Sequence, residues 1–139
     1  MPRDFQKSRV YRWEDRHIKP RDQSQVPFDN IQTIVEHCWP YDHPPKVEAL
    51  HKNARSLGTG HRLRLQFPSH QPTPTWIILH ELAHALTCGD GHGPNYVGVY
   101  IQLLEQYLKI PMAFLHYTAR ASGVKFEVMP RHNLSGDYL

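Results

Sequence analysis

The chain has 139 residues, of which 40% are hydrophobic and 21% charged, with twelve prolines and a formal net charge of +3. This length suits one domain over residues 1–139 with a real core, and excludes a second catalytic domain. Two cysteines are too few for a disulfide framework, and no apolar leader or roughly 20-residue apolar run stands out, so a soluble, cytoplasmic protein is expected.

Residues 1–28 read as a basic, partly irregular N-terminal arm, with Val10, Tyr11 and Trp13 spaced to lie extended against a core. Residues 1–22 hold seven Lys/Arg against four Asp/Glu, whereas the remainder balances at nine each. Such an arm suits contact with nucleic acid or an acidic partner, and equally an ordinary solvated surface. Asp29 and Gln32 then fit a capping box. Ile31, Ile34, Val35 and Cys38 follow at helical spacing up to Trp39-Pro40, with Cys38 as a core residue.

Residues 46–51 alternate weakly as a strand. Residues 61–67 (HRLRLQF) alternate strongly, with Leu63, Leu65 and Phe67 on one face. After a proline-broken loop, Thr73-Pro74 supplies a cap and a first-turn proline for a helix over about 74–87 that is apolar nearly all round and therefore central. Gly89 and Gly91 end it. Gly93-Pro94 opens a second helix with Val97, Tyr100, Ile101 and Leu104 inward and Gln102, Glu105, Gln106 and Lys109 outward. Pro111 and Gly123 bracket a third helix, 124–128 (VKFEV) alternates as a closing strand, and 129–139 reads as a C-terminal tail.

The central helix carries His80-Glu81-Leu82-Ala83-His84. Residues four apart lie on one helix face, so His80 and His84 can offer two imidazole nitrogens to one ion. Glu81 then stands beside that ion, where a HExxH hydrolase keeps its general base. Even with eleven histidines, composition gives only roughly 0.04 chance occurrences of this pattern, and burying its polar groups without a partner is costly. A catalytic zinc takes three protein ligands and leaves one position for water. Cys88 would sit about 12 Å along the axis from His80, too far to share the ion. Asp90 lacks the glycine spacing of a metzincin, and Glu105 falls on a polar face. His92 is the preferred third ligand, because the Gly-Asp-Gly turn before it allows the chain to reverse, with Asp90 available to orient a ligand imidazole. Tyr96, Tyr100, His61 and His116 are candidates to stabilise an oxyanion.

"LHELAHAL" followed by "HGPNYVGVYIQLLEQYL" resembles the SprT-like zinc metallopeptidases, and more closely a group of small bacterial and phage metallohydrolases that share a segment like "RDFQKSRVYRWE". The resemblance covers residues 76–108 and 3–14. It implies Zn²⁺ held by His80, His84 and His92, Glu81 as catalytic base, and a peptide or protein substrate. It also implies a minimal zincin-like α+β fold, with a small, mainly antiparallel sheet packed on the HExxH helix and a following helix. Residues 61–67 would be the edge strand bordering the cleft, to which an extended peptide adds. The chain departs from the SprT pattern in its short His84–His92 connection and in lacking the cysteines of a C-terminal zinc ribbon. A metal-stabilised module that binds nucleic acid or protein, and a zinc hydrolase of a non-protein amide, are the alternatives.

Overall fold

A computed structural model describes residues 4–51, 58–60, 63–87 and 89–128. Within them lie five α-helices and a three-stranded sheet: α1 (Lys7–Trp13), α2 (Phe28–Cys38), β1 (Lys46–Ala49), β2 (Thr59–Gly60), β3 (Arg64–Phe67), α3 (Thr75–Leu86), α4 (Pro94–Leu108) and α5 (Met112–Ala121). The chain is thus α+β, as expected. Among the described residues, no helix is long and apolar enough to cross a membrane.

The N-terminal segment departs most from its sequence reading. Residues 7–21 are helical rather than extended or irregular: α1 continues into a π-helical turn, Glu14–Ile18, and a short 3₁₀ turn, Lys19–Arg21. Val10, Trp13, Glu14 and Ile18 recur at helical spacing and all are buried, so this segment has a core-facing stripe of its own. Trp13 anchors it, donating its indole N–H to Thr118 Oγ1 of α5 at 2.9 Å.

The sheet has the order β1-β3-β2 and is mixed, not mainly antiparallel. Its longer pairing, β1 with β3, is parallel and runs from Lys46 opposite Arg64 to Ala49 opposite Phe67. β2 pairs with β3 antiparallel. Two chain reversals, from β1 to β2 and from β2 to β3, restore the original direction. β3 is therefore the central strand rather than the edge, and β1 and β2 are the two edges. Leu65 and Phe67 point into the core as their alternation predicts, but Leu63 precedes the strand and is exposed. His61, like the tail 129–139, lies outside the described residues.

Gln32 does not close a capping box. Its amide spans from α2 to the start of β1, donating to Pro45 O at 3.1 Å and accepting from Val47 N–H at 2.7 Å. Residues 124–128 form no strand either. Val124 is buried and Phe126 half-buried, which accounts for the alternation, but the backbone partners are Ala119 O, Pro94 O and the Gln6 side chain rather than a ladder. On α4, Gln102 is buried instead of facing water.

Helix α3 is the centre of the molecule, packed against α4, α2, β2 and β3. Nine of its twelve residues are buried, as a helix apolar on all sides must be. Pro74 precedes its first turn and has no side-chain oxygen to offer, and Thr73 is committed to a β-bridge with Val26. The exposed N–H groups are instead met from the N-terminal segment. Ser24 Oγ accepts from Thr75 N–H at 2.8 Å, and Asp22 Oδ2 accepts from Trp76 N–H at 2.8 Å. Replacing Asp22 with Ala is expected to lower stability by about 1 kcal/mol, the usual cost of losing a helix cap, as read by urea denaturation. Unchanged stability would mean that water caps α3 equally well.

Candidate metal centre

The four-residue spacing on α3 sets His80 and His84 side by side, and His92 joins them. His80, His84 and His92 each present one ring nitrogen to a common point, all within 4.8 Å of one another. His92 Nε2 lies 3.2 Å from His84 Nε2 and 3.3 Å from His80 Nε2. Three imidazoles at ordinary Zn–N distances in a tetrahedral arrangement have nitrogens about 3.3–3.4 Å apart. His80 and His92 are buried, and His84 is half-buried.

His92 reaches this point from a tight turn. Gly89 and Gly91 take positive φ, +86° and +59°, which bring the chain back over α3. The connection is compact at Gly91, where a Cβ would come within 3.1 Å of the Asp4 carboxylate. Asp90 does not orient an imidazole. Its Oδ2 accepts the Tyr96 N–H at 2.9 Å and so caps the first turn of α4, which follows His92 by two residues. Glu105 does not belong to the cluster, and Cys88 lies outside the described residues.

The groups that orient the histidines come from the N-terminal segment. Glu14 Oε2 accepts from His80 Nδ1 at 2.5 Å, and Asp4 Oδ2 accepts from His92 Nδ1 at 2.8 Å. A carboxylate only accepts, so in each pair Nδ1 carries the proton and Nε2 is left with its lone pair. Two lone pairs then face each other at 3.3 Å in a buried space, an arrangement suited to a cation between them. The donor set therefore fits a metal ion.

Glu14 is itself buried and its Oε2 is doubly engaged, since Tyr100 donates its hydroxyl to the same atom at 2.7 Å. Gln6 bolts the segment down by donating to His92 O at 2.8 Å and to Lys125 O at 2.9 Å. Among the described residues no carboxylate bonds to His84 in this way, and its ring stacks on Tyr96 with centroids 4.2 Å apart. Tyr96 in turn donates its hydroxyl to His80 O at 3.0 Å.

Electrostatics divide the site into roles. Burial, reinforced by His80 and His92, pushes the His84 pKa down to about 3, so this ring stays neutral with a lone pair to offer. Burial also opposes charge on His80, but the hydrogen bond and charge of Glu14, with Glu81 nearby, raise its pKa nonetheless. Burial lowers the pKa of His92 against the pull of Asp4. The Glu81 carboxyl is raised to about 7, chiefly by burial, with His80 lowering it and Glu14 adding to the rise. A carboxyl near neutrality is suited to take and return a proton, although a bound cation would pull it lower.

Glu81 and His80 open onto a cavity of about 380 Å³ whose wall also includes Tyr11, Gly58, Trp76 and Ile77. A larger hollow of about 650 Å³ adjoins it, sharing Asp15, Trp76 and Ile77, so the surface is grooved past the N-terminal end of α3. Three of the expected oxyanion groups stand elsewhere or are engaged. Tyr96 and Tyr100 are fully buried donors to His80 and Glu14, and His116 stacks on Phe126.

Sequence reasoning missed Asp4, Gln6, Tyr11 and Glu14. The available signal was the spacing of Val10, Trp13 and Glu14, which puts an acidic residue on an apolar helical stripe. No family model, no curated protein and no solved structure matches this chain. The orienting carboxylates yield a direct expectation. Glu14→Gln and Asp4→Asn should each weaken metal binding by about 10–100-fold without removing a ligand, as measured by competition with a chromophoric chelator. Wild-type affinity in both variants would show that the histidines need no such support.

Proposed function

We propose that this protein is a zinc-dependent metallopeptidase in which His80, His84 and His92 hold the ion and Glu81 is the general base. The observation that carries this reading is the pair of bare Nε2 atoms, on His80 and His92, converging with His84 beside a buried glutamate that opens onto a cavity. The resemblance of "LHELAHAL" and "HGPNY" to SprT-like metallopeptidases supports the same assignment, as does an α+β frame built around the HExxH helix.

Zinc in such a site supplies Lewis acidity, polarising a substrate carbonyl and acidifying a water molecule. Glu81 removes a proton from the attacking water as the water oxygen bonds to the carbonyl carbon. The same carboxyl returns that proton to the amine nitrogen as the C–N bond breaks. The low-polarity walls formed by Trp76 and Ile77 limit competing water near Glu81. An extended peptide suits the groove, and the edge available for strand addition is β2 rather than residues 61–67, because β2 flanks β3 on the side packed against α3.

Zinc-loaded wild type is expected to cleave fluorescein-labelled casein, and Glu81→Gln to lose at least about 10²–10⁴-fold of that activity while binding one zinc per chain. Equal turnover by metal-loaded Glu81→Gln would refute the assignment of the base. Activity confined to small amides or cell-wall peptides would keep the hydrolytic chemistry and move the substrate class.

A further inference from the structure

Hydrolysis of an amide through a tetrahedral adduct places negative charge on the former carbonyl oxygen, and a hydrogen-bond donor aimed at that oxygen is usually worth a large part of the rate. The residues expected for this role do not supply it. Tyr96 and Tyr100 spend their hydroxyls on His80 O and Glu14, and neither has exposed surface. His116 lies against Phe126, and His61 is outside the described residues.

Tyr11 differs on each point. It sits on α1 between the buried Val10 and Trp13, a quarter-turn toward the rim, and is 41% exposed. Its ring meets the His92 ring edge-on with centroids 5.1 Å apart, and lies nearly parallel to the His80 ring at 6.1 Å. It shares the wall of the 380 Å³ cavity with Glu81. Among the described residues lining that cavity, no other carries a hydroxyl, and none is a lysine or arginine. The helix that presents it is pinned on both sides, by Asp4 and Gln6 before it and by Trp13 and Glu14 after it. The phenol is therefore held beside the histidine cluster while its outer edge is open to a ligand.

We infer that Tyr11 is a catalytic residue whose hydroxyl donates a hydrogen bond to the oxyanion formed from the substrate carbonyl, opposite Glu81. This role rests on the metallopeptidase reading. The step is balanced: the water oxygen bonds to the carbonyl carbon, the carbonyl π pair moves onto the oxygen facing Tyr11, and Glu81 holds the water proton. Collapse returns the electron pair, breaks the C–N bond and passes the proton to the amine. Tyr11 keeps its own proton throughout. The assignment also means that the segment supplying Asp4 and Glu14 to the histidines contributes a group to the chemistry itself.

Two measurements on the full chain separate this inference from the reading beneath it. In Co²⁺-loaded protein, Tyr11→Phe should leave the metal affinity and the visible d–d spectrum unchanged, since Tyr11 is not a ligand. It should bind acetohydroxamate, an anionic oxygen ligand, about tenfold or more weakly, the scale of a lost hydrogen bond to a charged group. On labelled casein, kcat should fall about 10²–10³-fold with KM little altered. Unchanged acetohydroxamate affinity in Tyr11→Phe overturns the inference, as does an altered cobalt spectrum, which would make Tyr11 a ligand. If wild type binds cobalt and acetohydroxamate but does not cleave casein, the peptidase reading falls, while the acetohydroxamate comparison still decides whether Tyr11 faces the oxyanion position. Failure of wild type to bind cobalt overturns both.

Discussion

A single oxygen, Glu14 Oε2, joins the three elements on which the rest of the site depends. It accepts from His80 Nδ1 of α3 and from the Tyr100 hydroxyl of α4, while its own backbone begins the π-helical turn that follows α1. An ionised carboxylate at 2% exposure costs several kcal/mol unless it is paired and hydrogen-bonded. The pairing offsets that cost and also sets the His80 tautomer, so one interaction determines both how α1 docks and which nitrogen His80 presents. Without Glu14 the imidazole could donate from either nitrogen, and the convergence of three lone pairs would be one arrangement among several.

Half of this centre is local in sequence and half is not, and that division explains what the sequence reveals. His80, Glu81 and His84 lie within one helical turn and a half, and His92 is reached through a glycine turn of a few residues, so spacing alone brings them together. Their orienting partners lie 66 and 88 positions away. Asp4 and Glu14 stand among arginines and lysines, where a carboxylate resembles part of a solvated, mixed-sign surface. Only the burial of Val10, Trp13 and Ile18 reveals that this stretch has an inner face. The same limit applies to the sheet. Alternation located β1 and the Leu65–Phe67 half of β3, but alternation carries no information about which strands are neighbours, and so the central place of β3 and the parallel β1–β3 pairing were out of reach. Residues 124–128 are the converse case, with one apolar side and no partner strand.

The supports of the site are distributed unevenly. Two of the three histidines are held by carboxylates, whereas His84 is held by stacking on Tyr96, and burial depresses its pKa to about 3. A hydrogen bond from Nδ1 to a carboxylate makes the opposite nitrogen a better donor to a metal. The three histidines are accordingly unequal, since His80 and His92 have a carboxylate behind Nδ1 and His84 has a tyrosine ring. The N-terminal segment thus orients two of the histidines, caps the helix that carries His80 and His84, and fixes the turn that carries His92.

The cavity's depth has a different origin. At Gly58, next to edge strand β2, an added Cβ would stand 3.1 Å from Glu81 Cγ and 3.3 Å from the Phe67 ring. Phe67 is fully buried and cannot retreat, so any side chain at this position would press on the carboxylate. A backbone without a side chain therefore acts as a gauge: it fixes how near this wall of the cavity can come to Glu81.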